Sequence, residues 1–272
     1  MLTYKQKLHT HSPYCDGRDT PREMVEIALQ KGFQSIGFSG HSYMYYVPEH
    51  RMSLEGMEAY FREIQELKAE YAGKIKIFCG IEYDIYSDLD ISAYDYAIGS
   101  VHYLRKRGGC IDFDRPADRV AEIIRDDFAG DGMAYARQYF EELSDLPQYG
   151  KFDIVGHIDL IAKHAQTRDF FDCNSGEYLS CAFDAARALA GKIPYFEVNT
   201  GAIARGYRTT PYPAIPIIME LKRLGFGPVI TSDCHDGRML DCCFDDAQRI
   251  LQECGFEYYF VLDDEGFVPV KL

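Results

Sequence analysis

Lys7-Leu8-His9-Thr10-His11-Ser12-Pro13-Tyr14-Cys15-Asp16-Gly17 places two histidines and a carboxylate at the C-terminal end of a short β-like run. In an extended strand residues i and i+2 share a face, so His9 and His11 can aim at one ion. The arrangement recurs down the chain. Ser35 to Ser39 leads to His41, Ile75 to Ile81 to Glu82, Tyr94 to Gly99 to His102, Phe152 to Val155 to His157, and Pro228 to Thr231 to Asp233 and His235. A seventh run, Tyr195 to Val198, carries Glu197 and closes at Asn199. A lone histidine in such a place is usually a core residue satisfied by a backbone carbonyl. Six of the eight histidines at run ends outweigh that reading. Nitrogen and carboxylate donors suit zinc, manganese or iron better than calcium or magnesium, so the pattern predicts a multinuclear metal site.

The segments between the runs have helical periodicity. Pro21 to Lys31 follows Thr20 as N-cap, with Pro21 at the first helical position and Gly32 past the end. Leu54 to Ala72 follows Ser53 and stops at Gly73, and Glu177 to Ala190, Ile215 to Leu224 and Asp245 to Cys254 each precede a glycine. Seven strands alternating with helices predict a closed parallel barrel or a doubly wound sheet. An open sheet spreads its strand ends, whereas a barrel gathers them at one rim, where functional residues converge. The ligands at every run end therefore favour an α/β barrel of seven strands with the metal site at the C-terminal rim, one domain over residues 1–272. Gly108 to Gly150, irregular apart from a helical pattern over Met133 to Leu146, is expected to be an excursion over the rim. Tyr258 to Leu262 reads as a last strand or an extension outside the barrel.

With 272 residues and 47% hydrophobic content the chain can bury one large core. A formal net charge of -14 argues against a nucleic-acid or anionic membrane surface, both of which need clustered Lys and Arg. No stretch has the length of a membrane span and the N-terminus lacks the apolar core of a signal peptide, so a cytoplasmic location is expected. Nine cysteines without paired spacing indicate reduced thiols rather than a disulfide framework or a zinc ribbon. Cys15 and Cys234 flank candidate ligands but are expected to be small half-buried filler.

Taken together, Leu8-His-Thr-His-Ser-Pro-Tyr-Cys-Asp-Gly17, Gly37-Phe-Ser-Gly-His41, Gly80-Ile-Glu82, Gly99-Ser-Val-His102, Gly156-His157 and Ser232-Asp-Cys-His235 resemble the polymerase and histidinol phosphatase (PHP) superfamily. Gly156-His-Ile-Asp-Leu-Ile161 and Glu197-Val-Asn-Thr-Gly201 are most similar to its histidinol-phosphatase branch. The resemblance implies a distorted (β/α)7 barrel with three divalent ions. By the family pattern His9, His11, Glu82 and Asp233 hold one ion, Glu82 bridges to a second held by His102 and His157, and Asp16, His41 and His235 hold the third. Ser39-Gly40 departs from the commoner acidic residue before the histidine, so a supporting carboxylate is missing at His41.

Such a centre suits phosphomonoester hydrolysis, in which a water bridging two ions becomes hydroxide near neutral pH and no serine or cysteine nucleophile is needed. Glu82, Asp233 and His235 are the expected catalytic residues, the last two as candidate donors to the leaving alkoxide. Arg205 and Lys163 are candidate phosphate contacts, with Arg168 and Arg208 weaker ones. Asp159 and Glu197 are candidates for a substrate amine, and Tyr43, Tyr45 and Tyr46 for the pocket wall. His50 and His164 match no ligand position and read as surface or supporting residues. The resemblance implies hydrolysis of L-histidinol phosphate in histidine biosynthesis. Another small ester, a nucleotide or sugar phosphate, is the alternative within enzymes. A protein phosphatase or regulatory module is the alternative outside small-molecule metabolism.

Overall fold

A computed structural model describes residues 2, 4–45, 50–106 and 108–272. Eleven strands and eight α-helices follow one another along the described chain. The strands are β1 (Gln6–Lys7), β2 (Ser35–Phe38), β3 (Lys76–Asp84), β4 (Tyr96–Ser100), β5 (Tyr103–Lys106), β6 (Gly109–Asp112), β7 (Ile154–Val155), β8 (Tyr195–Asn199), β9 (Gly227–Thr231), β10 (Tyr258–Asp263) and β11 (Gly266–Lys271). The helices are α1 (Pro21–Gln30), α2 (Leu54–Glu70), α3 (Ala117–Asp127), α4 (Gly132–Ser144), α5 (Gly176–Leu189), α6 (Gly201–Ala204), α7 (Ile215–Arg223) and α8 (Phe244–Glu253).

All seven expected runs form one parallel sheet in the order β1-β2-β3-β4-β7-β8-β9. A parallel bridge between Thr10 and Cys234 joins its first and last members, with His11 N donating to Cys234 O and Cys234 N to His9 O, both at 2.9 Å. The sheet is therefore a nearly closed barrel whose seam lies at the ligand-bearing segments. A second bridge, His41 to Glu82, carries the β2–β3 pairing up to the rim.

The helices begin where side-chain chemistry starts them. Thr20 and Glu23 form a reciprocal capping box on α1 with Pro21 at its head, and Ser53 and Ser175 cap α2 and α5. Their apolar faces, such as Met24, Val25 and Ala28 of α1, pack on the outside of the barrel. Inside it, Leu8, Phe78, Tyr96, Ile98, Ile154 and Val229 form a separate core, joined from below by Leu262 and Phe260 of the β10–β11 hairpin. Gln6 fixes that hairpin through two hydrogen bonds to the Leu262 backbone. The last strand is thus a plug under the barrel, in a sheet of its own. Gly37 and Gly80 leave the room that the Tyr96 ring fills, since a Cβ at either position would overlap it.

The stretch expected to be irregular holds more structure than its pattern suggests. The β5–β6 hairpin springs directly from His102, and α3 precedes α4. No helix among the described residues is long and apolar enough to cross a membrane.

A candidate metal centre at the barrel rim

The β-strand ends bring all nine expected ligand residues to one rim. In a tetrahedral site with bonds of about 2.0–2.1 Å the donor atoms lie roughly 3.3 Å apart. His9 Nε2 and His11 Nε2 are 3.3 and 3.5 Å from Glu82 Oε2, and 3.6 and 3.3 Å from Asp233 Oδ1. The other carboxylate oxygen faces elsewhere. Glu82 Oε1 is 3.1 Å from His157 Nε2 and 3.5 Å from His102 Nε2, and those two nitrogens are 3.2 Å apart. One carboxylate thus serves two groups of nitrogen donors. A third group gathers Asp16, His41 and His235 together with His11, which it shares with the first, with His235 Nε2 at 3.3 Å and His41 Nε2 at 3.7 Å from the Asp16 oxygens. His11 stacks on His235 with ring centroids 4.0 Å apart.

Whether ions fit is tested by the donors themselves. His9 Nε2, His11 Nε2, Asp16 Oδ1 and Glu82 Oε2 are buried without a hydrogen-bond partner. Buried polar atoms are normally satisfied, and leaving them unpaired costs several kcal/mol unless another group compensates. Four such atoms converging from two strand ends and a loop make a donor set that fits divalent metal ions.

A layer behind the donors fixes their orientation. Glu197 accepts four hydrogen bonds, from His9 Nδ1 at 2.8 Å, His157 N at 2.6 Å, Asn199 Nδ2 at 2.8 Å and Thr231 Oγ1 at 2.8 Å. Donation from His9 Nδ1 leaves the Nε2 lone pair pointing at the Glu82 and Asp233 oxygens. Burial raises the Glu197 pKa, but His9 and His157 more than offset it and hold the group at about 2. Asp84 accepts from His102 N and His102 Nδ1, both at 3.0 Å, and so aims His102 Nε2 at Glu82. Ser100 donates to Glu82 Oε1 at 2.7 Å. Where a carboxylate before His41 is missing, His41 Nδ1 lies 2.9 Å from both Glu82 Oε2 and a guanidinium nitrogen of the buried Arg51, which also pairs with Asp84.

The cavity over these donors has two adjoining lobes. One of about 170 Å³ is lined by Glu82, His157, Lys163, Arg205, Asp233 and His235, among others. The other, about 160 Å³, is bounded by His50, Arg51, Tyr103, Asp112 and Arg115, and Asp114 lines both. Arg205 Nη2 donates to Asp233 Oδ2 at 2.9 Å, and Lys163 Nζ to Asp114 Oδ1 at 2.7 Å. Although burial opposes it, Arg205 and His9 hold Asp233 well below the usual carboxylate range. Asp233 is therefore poorly suited to donate a proton, the first of two expected donors, while His235 remains partly exposed at the mouth.

The residues expected to meet a substrate amine lie elsewhere. Glu197 is wholly buried and its oxygens are taken by the four donors, and Asp159 is buried against Arg208 and Ala214 N. Neither lines the cavity, because the residue that follows a strand end by one turn, or sits inside the strand, faces the packing layer. Arg208 stacks on Tyr212 and Arg168 pairs with Asp118, so both are off the site. Tyr43 is half-buried and packed on the core, Tyr45 is exposed, and Tyr46 lies outside the described residues. His50 is on the cavity wall, and His164 is buried with Nε2 against Arg115 O. Cys15 is half-buried beside His11 and Cys234 is buried.

Sequence reading passed over Asp84, Arg51, Asp112 and Asp114. Asp84 had a usable signal, since Glu82 and Asp84 share one face of an extended strand. The other three sit in segments without periodicity.

Residues 7–201 match the model of the PHP domain. A Deinococcus radiodurans protein named "Probable histidinol-phosphatase" is 30% identical over 263 residues, covering 91% of this chain and 92% of that protein. The histidinol-phosphatase of Lactococcus lactis is 27% identical, covering 93% and 92%. The crystal structure of histidinol phosphate phosphatase from Lactococcus lactis, complexed with zinc, L-histidinol and phosphate, superposes with a TM-score of 0.72 at 24% identity, over 97% of this chain and 98% of that one. In matched family model, overall similarity and barrel fold alike, the chain belongs to the PHP domain family.

Proposed function

We propose that the protein is a metal-dependent phosphomonoesterase that hydrolyses L-histidinol phosphate to L-histidinol and phosphate. The observation that carries the chemistry is Glu82, whose two oxygens face separate sets of histidine nitrogens beside the cations Lys163 and Arg205. The substrate follows the full-length relatives named histidinol-phosphatase. His9, His11, Glu82 and Asp233 would hold one ion, Glu82, His102 and His157 a second, and Asp16, His41 and His235 a third, each zinc, manganese or iron. When bound, such ions supply Lewis-acid stabilisation of phosphoryl oxygens and lower the pKa of water.

The remaining work falls to the chain. Arg205 and Lys163 bind and orient the phosphoryl oxygens, and Arg205 keeps Asp233 ionised while doing so. When it is not holding the third ion, His235 at the mouth would donate the proton that the leaving alkoxide takes up. Glu197 and Asp84 hold His9 and His102 in the tautomers that leave Nε2 free. We place the enzyme in the cytoplasm, in histidine biosynthesis.

The test is hydrolysis by chelator-stripped protein reloaded with zinc, manganese or iron, against a panel of esters. Histidinol phosphate should exceed p-nitrophenyl phosphate in kcat/KM by about two orders of magnitude, because unpaired buried polar groups penalise the wrong substrate. A nucleotide monophosphate or sugar phosphate as the better substrate would overturn the assignment and leave the phosphatase chemistry standing.

A further inference from the structure

The Lys163–Asp114 ion pair sits where the two lobes of the cavity meet. Asp114 lines both lobes, and Lys163 lines the one that contains Glu82, Asp233 and His235. Apart from Asp233, which pairs with Arg205 and is a proposed metal ligand, the other carboxylates around the cavity are engaged by partners that have no competing role. Asp112 pairs with Arg115 at 2.7 Å, Asp84 with His102 and Arg51, and Asp16 with the histidines around it. Asp114 differs, because its partner is one of the cations proposed to bind phosphate.

A phosphate dianion entering the first lobe competes with Asp114 for the Lys163 ammonium. If Lys163 turns to the phosphate, Asp114, only partly exposed at the cavity, loses its counter-ion, which is unfavourable. A substrate with its own ammonium beside the ester carbon replaces what Asp114 loses. One ion pair then becomes two, Lys163 with phosphate and Asp114 with ammonium, and the second negative charge of the phosphate faces Arg205 and the donor cluster. An ester without the ammonium gains the first pair at the expense of the second.

We infer that Asp114 is the residue that recognises the substrate's amine, reached by exchange of partners with Lys163, and that the enzyme is selective for zwitterionic aminoalkyl phosphates. The side lobe, with Tyr103, His50 and Asp112 on its wall, takes the rest of the organic group. This inference rests on the phosphatase reading above and relocates amine recognition from Asp159 and Glu197 to the β6–α3 connection.

The test compares L-histidinol phosphate with its deaminated analogue, 3-(imidazol-4-yl)propyl phosphate, on zinc-loaded enzyme. Wild type should favour the aminated ester by about 10- to 100-fold in kcat/KM, the range for a charge-assisted buried hydrogen bond. In Asp114→Asn that ratio should fall to within about threefold of unity. Calorimetry with L-histidinol alone gives a second readout that needs no turnover. Asp114→Asn should weaken binding, whereas Lys163→Met, which frees Asp114, should tighten it. Shifts in the same direction, or a wild-type ratio near one, would overturn the proposal. Failure of wild type to hydrolyse either ester would refute the phosphatase reading instead, and the opposed calorimetric shifts would still decide the role of Asp114.

Discussion

Replacing Glu197 by Gln keeps the shape of the side chain and inverts one of its two hydrogen-bonding ends. Each oxygen accepts two bonds, Oε1 from His157 N and Asn199 Nδ2, Oε2 from His9 Nδ1 and Thr231 Oγ1. An amide nitrogen at the Oε1 position meets two donors, and Asn199 cannot turn to help because its Oδ1 already accepts from Gly201 N at 2.8 Å. An amide nitrogen at the Oε2 position is accommodated only if His9 moves its proton to Nε2. That move removes the lone pair facing Glu82 and Asp233. Either arrangement loses two charge-assisted bonds, about 1.5–3 kcal/mol each, and the second also disables a donor. Mutation of such supporting groups lowers metal affinity about 10- to 100-fold. Zinc affinity of wild type and Glu197→Gln, measured by competition with a chromophoric chelator, should differ by that factor. Urea unfolding of the metal-free proteins should differ by roughly 3 kcal/mol or more. Equal zinc affinities within about threefold would refute the view that Glu197 sets the His9 tautomer.

Other expectations are separable from that one. Glu82→Gln should lower kcat by about two orders of magnitude or more and reduce bound metal, because a shared carboxylate fixes both ions. Elemental analysis alongside kinetics checks it, and full activity with fewer than one ion per chain would contradict it. Cys15→Ser and Cys234→Ser should keep substantial activity, and loss of turnover with metals intact would point to a thiolate nucleophile. Gly80→Ala should destabilise the barrel by about 3 kcal/mol, since its Cβ would overlap the Tyr96 ring. Tyr96→Phe, which removes the hydroxyl donated to Leu8 O and Phe38 O, should cost about 1–2 kcal/mol. Urea denaturation distinguishes the two.

The barrel was legible in the sequence because its strands are apolar runs and six of the seven carry a candidate ligand at or just past the end, so pattern and chemistry marked the same places. The ligands were legible for the same reason. The β5–β6 hairpin and α3 were not. Tyr103 and Leu104 are buried but Arg105 and Lys106 are exposed, so the first strand shows no alternation, and α3 begins at Pro116 without a side-chain cap. The substrate side of the site is not legible in the sequence, because the proximity of Asp159 to His157 and of Glu197 to a strand end says nothing of burial. Burial decides their roles: Glu197 at 1% exposure is surrounded by donors, whereas Asp114, two residues past the hairpin, opens on the cavity.

The position of the seam also bears on how the molecule is assembled. Lys7 and Ser232 are hydrogen bonded across 225 residues of chain, and just above them the histidines of the first strand meet Asp233 and His235 from the last. Closing a loop of that length costs about 5 kcal/mol of chain entropy, borne by the Thr10–Cys234 bridge, by side-chain contacts such as Lys7–Ser232 and Gln6–Leu262, and by whatever the rim holds. An ion gripped from both sides acts as a clasp between the beginning and the end of the polypeptide. Its affinity is then coupled to closure, so each tenfold excess of free ion over its dissociation constant adds about 1.4 kcal/mol against opening. During synthesis His9 and His11 must wait for the last strand of the barrel, and a ribosome paused before residue 233 holds a chain that cannot shut.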